Sequence, residues 1–302
     1  MDLHFADRVA IITGAGGGLG REHALLLGAR GARVVVNDTG VAVDGNGASS
    51  GASELVVAEI RAAGGEAIAD THSVNTPEGG EAIVQAALNA WGRVDIVVNN
   101  AGILRDASFA KLSPMDLDAV LDVHLKGAFF VTQPAWRAMR EAGYGRIVLT
   151  SSAAGLFGNF GQASYGAAKM GLVGLAHVLA VEGARSGISV NAIAPIARTR
   201  MTEDVLGSLV ERVDPRLVSP LVAWLVHEEC PVTGHIYTVG GGRIARLFVG
   251  MTNGWTRTDG DLTVEDVRAN FQTIEDATGA SIPAGINDDF RALARALSIR
   301  RR

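Results

Sequence analysis

From residue 8 to about residue 240, short β-branched runs alternate with longer stretches whose apolar positions recur at helical spacing. That alternation predicts a parallel sheet covered by helices on both faces. The runs "RVAIIT", "ARVVVN", "EAIAD", "RVDIVVN", "GRIVLTS", "ISVNAIA" and "HIYTVG" read as seven strands. Helical patterns near 18–30, 49–63, 77–91, 113–142, 163–186 and 201–228 supply the right-handed crossovers. The expected fold is therefore α/β, a doubly wound seven-stranded parallel sheet filling residues 1–242.

Residues 243–302 read as a C-terminal helical extension. "TVEDVRANFQTI" opens on Thr263 with Asp266 three positions on, a capping-box pattern, and puts Val267, Phe271 and Ile274 on one face. Asn287 is the expected cap of a last helix that buries Phe290, Leu293 and Leu297. Two amphipathic helices of this length cannot form a core alone, so packing on the main domain or on a neighbouring subunit is expected.

Composition narrows the functional classes. With 302 residues, 48% of them apolar, the chain can bury one large core. The net charge is −5, and the final "IRRR" is the one basic block, so no nucleic-acid partner is expected. The single cysteine, Cys230, cannot form an internal disulfide, and the opening "MDLHFADRVAII" has no cleavage signal, which points to a cytoplasmic protein. Gly, Asn or a charge interrupts every apolar run short of about 20 residues, so no membrane span is expected. The seven histidines lack metal-ligand spacing, and no metal is expected.

"TGAGGGLG" follows the first strand and opens the first helix, where a phosphate-binding turn belongs. Gly14, Gly18 and Gly20 fit T-G-x-x-x-G-x-G, whereas G-x-G-x-x-G fails because Leu19 or Arg21 falls where its last glycine belongs. Glycines let the backbone approach a pyrophosphate and aim N–H groups at it, with the helix N-terminus adding favourable potential. Gly14, Gly16, Gly17, Gly18, Leu19 and Gly20 are the candidate contacts. Asp38, twenty residues past Gly18, ends the second strand, where a carboxylate can accept both ribose hydroxyls. A 2′-phosphate about 4 Å away would be repelled by up to roughly 4 kcal/mol at an effective dielectric near 20. NAD is therefore expected rather than NADP.

"SYGAAKMG" places Tyr165 and Lys169 four residues apart on one helix face. A nearby ammonium favours the phenolate and is expected to lower the phenol by about 1 to 3 pH units, toward working pH. Such a group can take and return a proton in carbonyl–alcohol interconversion. Tyr-x-x-x-Lys alone is weak, because chance produces it often. Ser152, thirteen residues before Tyr165 at the end of a strand, strengthens it by offering a hydroxyl to the substrate oxygen, while Ser151 is expected to face away.

"TGAGGGLG", "NNAG" at 99–102, Ser152 and "YGAAK" together resemble the short-chain dehydrogenase/reductase family over residues 5 to about 245. The resemblance implies a Rossmann-type sheet and hydride transfer between a nicotinamide and a substrate carbon. Tyr165 would be the acid/base, Lys169 its electrostatic partner and Ser152 the oxygen clamp. It further implies that Asn99, Asn100, Ala101 and Gly102 line the cofactor, that Ser73 and Val74 lie near the adenine, and that Pro195, Ile196, Ala197 and Thr199 cover the nicotinamide amide. His124 in "VHLKGAFF" stands where the family usually has Asn, whose role is to help hold a water that relays protons to Lys169. His124 either keeps that role or is simply packed. "APIARTRM" lacks the Pro-Gly usual after the sixth strand.

Further motifs, among them "VVVNDTG", "NNAGILRD", "DVHLKGAFF" and "GLFGNFGQASYGAAKMGLVGLA", resemble the (3R)-hydroxyacyl-CoA dehydrogenase units of type 2 peroxisomal multifunctional enzymes, also described as 17β-hydroxysteroid dehydrogenases. The implied reaction is NAD-linked oxidation of a (3R)-hydroxyacyl-CoA to the 3-oxoacyl-CoA. The alternatives are a 17β-hydroxysteroid dehydrogenase, a 3-oxoacyl or ketone reductase and, from another class, a non-catalytic cofactor-binding scaffold. Leu156, Phe157 and Phe160 would sit near the reacting carbon, suiting an acyl or sterol body. Arg105, Arg198, Arg200 and Arg243 could meet CoA phosphates or be solvated arginines. The small residues Ala167, Ala168, Gly171 and Gly174 suit close helix contact, and the resemblance implies a homodimer or homotetramer.

Overall fold

The computed structural model describes residues 3–42, 44–45, 51–199 and 207–297. The chain divides into two compact units, Met1–Arg246 and Leu247–Arg302. In the first, β1 (Val9–Thr13), β2 (Arg33–Asn37), β3 (Glu66–Asp70), β4 (Ile96–Asn99), β5 (Gly145–Thr150), β6 (Ile188–Pro195) and β7 (Ile236–Gly240) occupy the seven expected runs. They pair in parallel, and β1 lies between β2 and β4, so the sheet is ordered 3-2-1-4-5-6-7 with one further strand at the end. Every residue of β1, β4 and β5 is buried, as continuous apolar runs in a sheet covered on both faces require.

The further strand is a correction. β8 (Arg243–Leu247) makes the sheet eight-stranded and takes up residues that the sequence reading gave to the extension. Gly241 and Gly242 have φ of +58° and +83°, the left-handed pair that a two-residue hairpin turn needs, and a connection this short returns the chain antiparallel. "RIARL" carries two arginines and is mostly exposed, as a protected sheet edge should be.

Helices α1 (Gly18–Ala29), α2 (Gly51–Ala62), α3 (Pro77–Trp91), α4 (Pro114–Leu121), α5 (Gly127–Ala142), α6 (Ala153–Phe157), α7 (Ala163–Gly183) and α8 (Ser219–Val226) fill the crossovers. The helix expected over 201–228 is shorter: its described part begins with single 3-10 turns at Gly207–Leu209 and Pro215–Leu217, and only α8 is α-helical. Pro215 and Pro220 occupy first-turn positions, where a missing N–H does no harm, so each starts a new segment. Between α4 and α5 the chain winds as a π-helix over Asp122–Lys126.

With the 3-10 turn that follows it, α7 forms an apolar helical run, Ala163–Ser186, that passes for a membrane span by length and hydropathy, contrary to expectation. It packs instead on β6, β5, α4 and α6 and carries Tyr165 and Lys169 among them.

In the second unit, Thr263 caps α9 (Val264–Glu275) with the reciprocal Asp266 bond expected of a capping box. α10 (Ile286–Ala296) is capped by Gly285, so Asn287 falls inside its first turn and is not the cap. Neither helix buries a residue.

Behind the glycine turn, His23 of α1 is buried with Nδ1 2.8 Å from Ser219 Oγ of α8, and burial pulls its imidazole down to about 3. An unfolded histidine titrates near 6.5. Above that pH both states hold it neutral; below it the unfolded chain takes up a proton that the fold refuses, so stability falls with pH. Urea unfolding of His23→Leu should therefore lose about 2 kcal/mol less than wild type between pH 7 and pH 5. Equal losses in the two proteins would contradict this.

Candidate active site

The strand order reverses between β1 and β4, and at such a point the carboxyl ends of the strands leave a crevice. Here the crevice is a cavity of about 1480 Å³. Its walls bring together Gly14, Gly17, Gly18, Leu19, Asp38, Ser73, Val74, Asn100, Ala101, Gly102, His124, Ser152, Tyr165, Lys169, Pro195, Ile196, Ala197 and Thr199. Gly16, Gly20 and Asn99 lie outside this lining, each for a packing reason.

Gly20 sits against the turn itself: a Cβ there would fall 2.2 Å from Gly14 O and 2.6 Å from Asn100 Nδ2. Gly16 donates its N–H to Asp38 Oδ2 at 2.8 Å. Asn99 turns its amide to Thr132 Oγ1 of α5, at 2.9 Å. By contrast, a Cβ on Gly17 would have no heavy atom within 4 Å, so this backbone faces open space at the N-terminus of α1. N–H groups there suit a pyrophosphate. The turn is tied to β4 by Asn100, whose Nδ2 donates to the Thr13 and Gly14 carbonyls at 3.1 Å. Thr13 Oγ1 accepts from Asn100 N at 3.0 Å and Ala101 N at 3.1 Å.

Asp38 is fixed by two backbone amides, Gly16 N on Oδ2 and Gly40 N on Oδ1 at 2.7 Å. Its carboxylate therefore meets the cavity in a set orientation. Ser73 donates to Asn75 Oδ1 at 2.8 Å beside the buried Val74. Thr199 lies over the turn, 3.6 Å from where a Cβ on Gly18 would be. These groups fit a dinucleotide.

The catalytic candidates meet across β5 and α7. Ser152 follows β5 and caps α6, accepting from Ala154 N at 3.2 Å. Ser151, which also lines the cavity, turns its hydroxyl to Lys169 O at 2.7 Å. Lys169 is buried, and its Nζ donates to Thr150 O at 2.6 Å, 5.5 Å from the Tyr165 ring centre. Burial pulls this ammonium down to about 7.

The expected lowering of the phenol is not found. Burial pushes Tyr165 above its ordinary value, the Ser152 hydrogen bond pulls it back, and the negative Asp106 pushes it up again. The reason is geometric: α7 carries both groups away from water, and the Lys169 ammonium is directed to the β5 carbonyl rather than to the phenol oxygen.

His124 sits in the π-helical turn with its ring edge-on to Tyr165, centroids 5.1 Å apart at 89°. Its Nε2 is 2.7 Å from Ile103 O and 3.1 Å from Ile103 N, and its Nδ1 is buried with no hydrogen-bond partner among the described residues. Burial and the Lys169 charge hold the ring neutral. Nearby lies a void of about 10 Å³ whose lining includes Thr13, Asn99, His124 and Lys169, about the room one water takes. Gly102 has no alternative here, since a Cβ would fall 2.3 Å from His124 Cε1.

Phe157 and Phe160 line the cavity and are 72% and 90% exposed, while Leu156 does not reach it. Arg105 lines it too, but donates to Asp116 Oδ1 at 3.2 Å and to Asp44 O at 2.9 Å. Arg198 and Arg243 are exposed, and Arg200 lies outside the described residues. Among the described residues, no group of three or more His, Cys, Asp or Glu side chains is placed to hold a metal. Sequence reasoning missed Thr13, the Thr150 carbonyl and Asp106. Only Thr13 had a signal, as the first letter of the glycine motif.

A family model described as short chain dehydrogenase matches residues 8–207. A Mycobacterium tuberculosis protein described as of the short-chain dehydrogenase/reductase type is 51% identical over 91% of this chain and 96% of its own. The Mus musculus peroxisomal multifunctional enzyme type 2 is 48% identical over 98% of this chain, which spans 40% of that protein's length. The structure of the full-length Drosophila melanogaster peroxisomal multifunctional enzyme type 2 superimposes with a TM-score of 0.82 at 39% identity, covering 98% of this chain and 50% of that one.

The glycines separate folding from binding. Gly20→Ala should cost about 1 to 3 kcal/mol in urea unfolding, because its methyl meets backbone. Gly17→Ala should keep stability within about 1 kcal/mol and weaken NADH, titrated by fluorescence, at least about tenfold. A Gly17→Ala protein that binds NADH normally would contradict the assigned phosphate position.

Proposed function

The chain belongs to the short-chain dehydrogenase/reductase family, and from that premise we propose that it is an NAD-linked dehydrogenase of (3R)-hydroxyacyl-CoA thioesters. The carrying observation is the convergence of Ser152, Tyr165 and Lys169 on one cavity with the Gly17 turn and the amide-fixed Asp38. That cavity's aromatic rim, Phe157 and Phe160, suits an acyl chain.

When bound, NAD supplies the acceptor for a hydride from the alcohol carbon. Asp38 would hold the ribose hydroxyls, and its fixed charge favours a cofactor without a 2′-phosphate. Ser152 would orient the substrate hydroxyl toward Tyr165. Tyr165 takes the hydroxyl proton, and the same phenol returns it in the reverse direction. Lys169 in its charged form favours the phenolate and offers its remaining N–H groups to the nicotinamide ribose. The unpartnered Nδ1 of His124 supports a role in holding a proton-relaying water next to Lys169. On the outer face of α7, exposed Met170, Val178 and Val181 with the open Gly174 support a homodimer or homotetramer.

Turnover with NAD and NADP on 3R- and 3S-hydroxyacyl-CoAs and on 17β-hydroxysteroids tests the reading. NAD-dependent oxidation of the 3R-thioester is expected, and steroid oxidation without it would move the assignment to the steroid alternative. Asp38→Ala should shift the NAD over NADP preference at least about tenfold toward NADP. Tyr165→Phe should lose about 10²-fold or more of the rate and keep NADH binding within a few-fold. Surviving turnover would overturn the acid/base assignment.

A further inference from the structure

Besides Asp38, three acidic side chains among the described residues line the cavity: Asp106, Asp118 and Asp122. Asp106 lies past β4 and lines the same cavity as Tyr165, Asn159, Phe160 and Gln162. It is exposed to that space rather than buried in an ion pair. The main chain holds it there: Ala107 pairs with Gln162 in a β-bridge, and Ala107 N donates to Gly161 O at 2.9 Å. Gly161 has a φ of +79°, which lets the two strands of chain approach.

The side chains form a directed series. Asn159 Nδ2 donates to Gln162 Oε1 at 3.0 Å, and Gln162 Nε2 donates to Asp106 Oδ2 at 2.7 Å. Both amides thus point their donors toward the carboxylate, the orientation that stabilises a negative charge there. That charge reaches the reacting group, since Asp106 opposes ionisation of the Tyr165 phenol. The neutral His124, the Ser152 hydroxyl and the Lys169 ammonium also act on or pack against Tyr165. Asp106 is therefore a cavity-lining carboxylate, joined through Gln162 to the start of α7, whose charge acts on the phenol.

We propose that Asp106, held by Gln162, is a specificity-determining residue that excludes substrates carrying a free carboxylate beside the reacting carbon. A 3-hydroxy acid would bring its own negative charge into the cavity that Asp106 lines. A thioester of the same acid is neutral at that position and meets no such repulsion. The proposal rests on the hydroxyacyl thioester reading and names the feature of the thioester that the site selects.

The test compares (3R)-3-hydroxybutyrate with its neutral N-acetylcysteamine thioester as substrates for wild type, Asp106→Asn and Asp106→Glu. Asn keeps an oxygen to accept from Gln162 while removing the charge. The thioester-to-acid ratio of kcat/KM should fall at least about tenfold in Asp106→Asn, through a gain with the acid, and should be largely restored in Asp106→Glu. Ultraviolet titration of the phenol in the ligand-free protein, assigned with Tyr165→Phe, should move to lower pH in Asp106→Asn. A role confined to folding would raise neither activity on the acid nor the acidity of the phenol. An unchanged ratio overturns the proposal. If neither compound is turned over but the phenol moves, the thioester reading falls and the exclusion role falls with it. The charge of Asp106 at the phenol is then all that stands.

Discussion

Two hydrogen bonds run in opposite directions between the end of β5 and α7. Ser151 Oγ donates to the Lys169 carbonyl at 2.7 Å, and Lys169 Nζ donates to the Thr150 carbonyl at 2.6 Å. This reciprocal clamp fixes helix to strand at the point where the site is built. Ser152 is the next residue after one anchor, and Tyr165 lies one helical turn before the other, so the clamp sets how the hydroxyl and the phenol face each other. The cost is a buried ammonium with a carbonyl as its described acceptor, and burial of this kind favours the neutral amine. Site geometry and the lowered lysine are thus two results of one packing decision.

A second set of close approaches positions the glycine-turn side of the crevice. The glycine turn meets β4 backbone to backbone, with Asn100 and Thr13 supplying the cross-bonds and Gly20 leaving room for them. What the turn leaves open is the Gly17 face, and what it fixes is Asp38, through the Gly16 amide. An open backbone face at a helix N-terminus and an amide-fixed carboxylate then follow from the same few residues. The clamp between β5 and α7 closes the other side of the crevice, so its two sides are set by independent contacts with one sheet.

The fold was legible wherever burial imposes a pattern. Runs such as "VAIIT" and "IVVN" are continuous because both faces of a parallel strand are covered, and all seven were found. β8 was not, since an edge strand with arginines has no such run and is marked only by Gly241-Gly242. Most of the site residues expected from the motifs and the family resemblance line the cavity. Gly16, Gly20 and Asn99 share those motifs yet support the lining rather than form it, a distinction that depends on which way each backbone turns. The direction of the Tyr165 shift was not legible at all. An i, i+4 spacing places the ammonium nearby, but it carries no information about how dry the face is or which carbonyl the ammonium chooses. Asp106 and Gln162 are far apart in sequence and meet only because 104–108 passes under 158–162.

The chain has three lysines, Lys111, Lys126 and Lys169, so selective carbon-13 labelling of lysine can follow each side chain through a pH titration by NMR. Lys126 is held above its ordinary value by Asp122. If the clamp buries its ammonium as described, one resonance titrates near pH 7 in the ligand-free protein and is missing from Lys169→Met. A Lys169 resonance that titrates at the ordinary lysine value of about 10.4 would contradict the account.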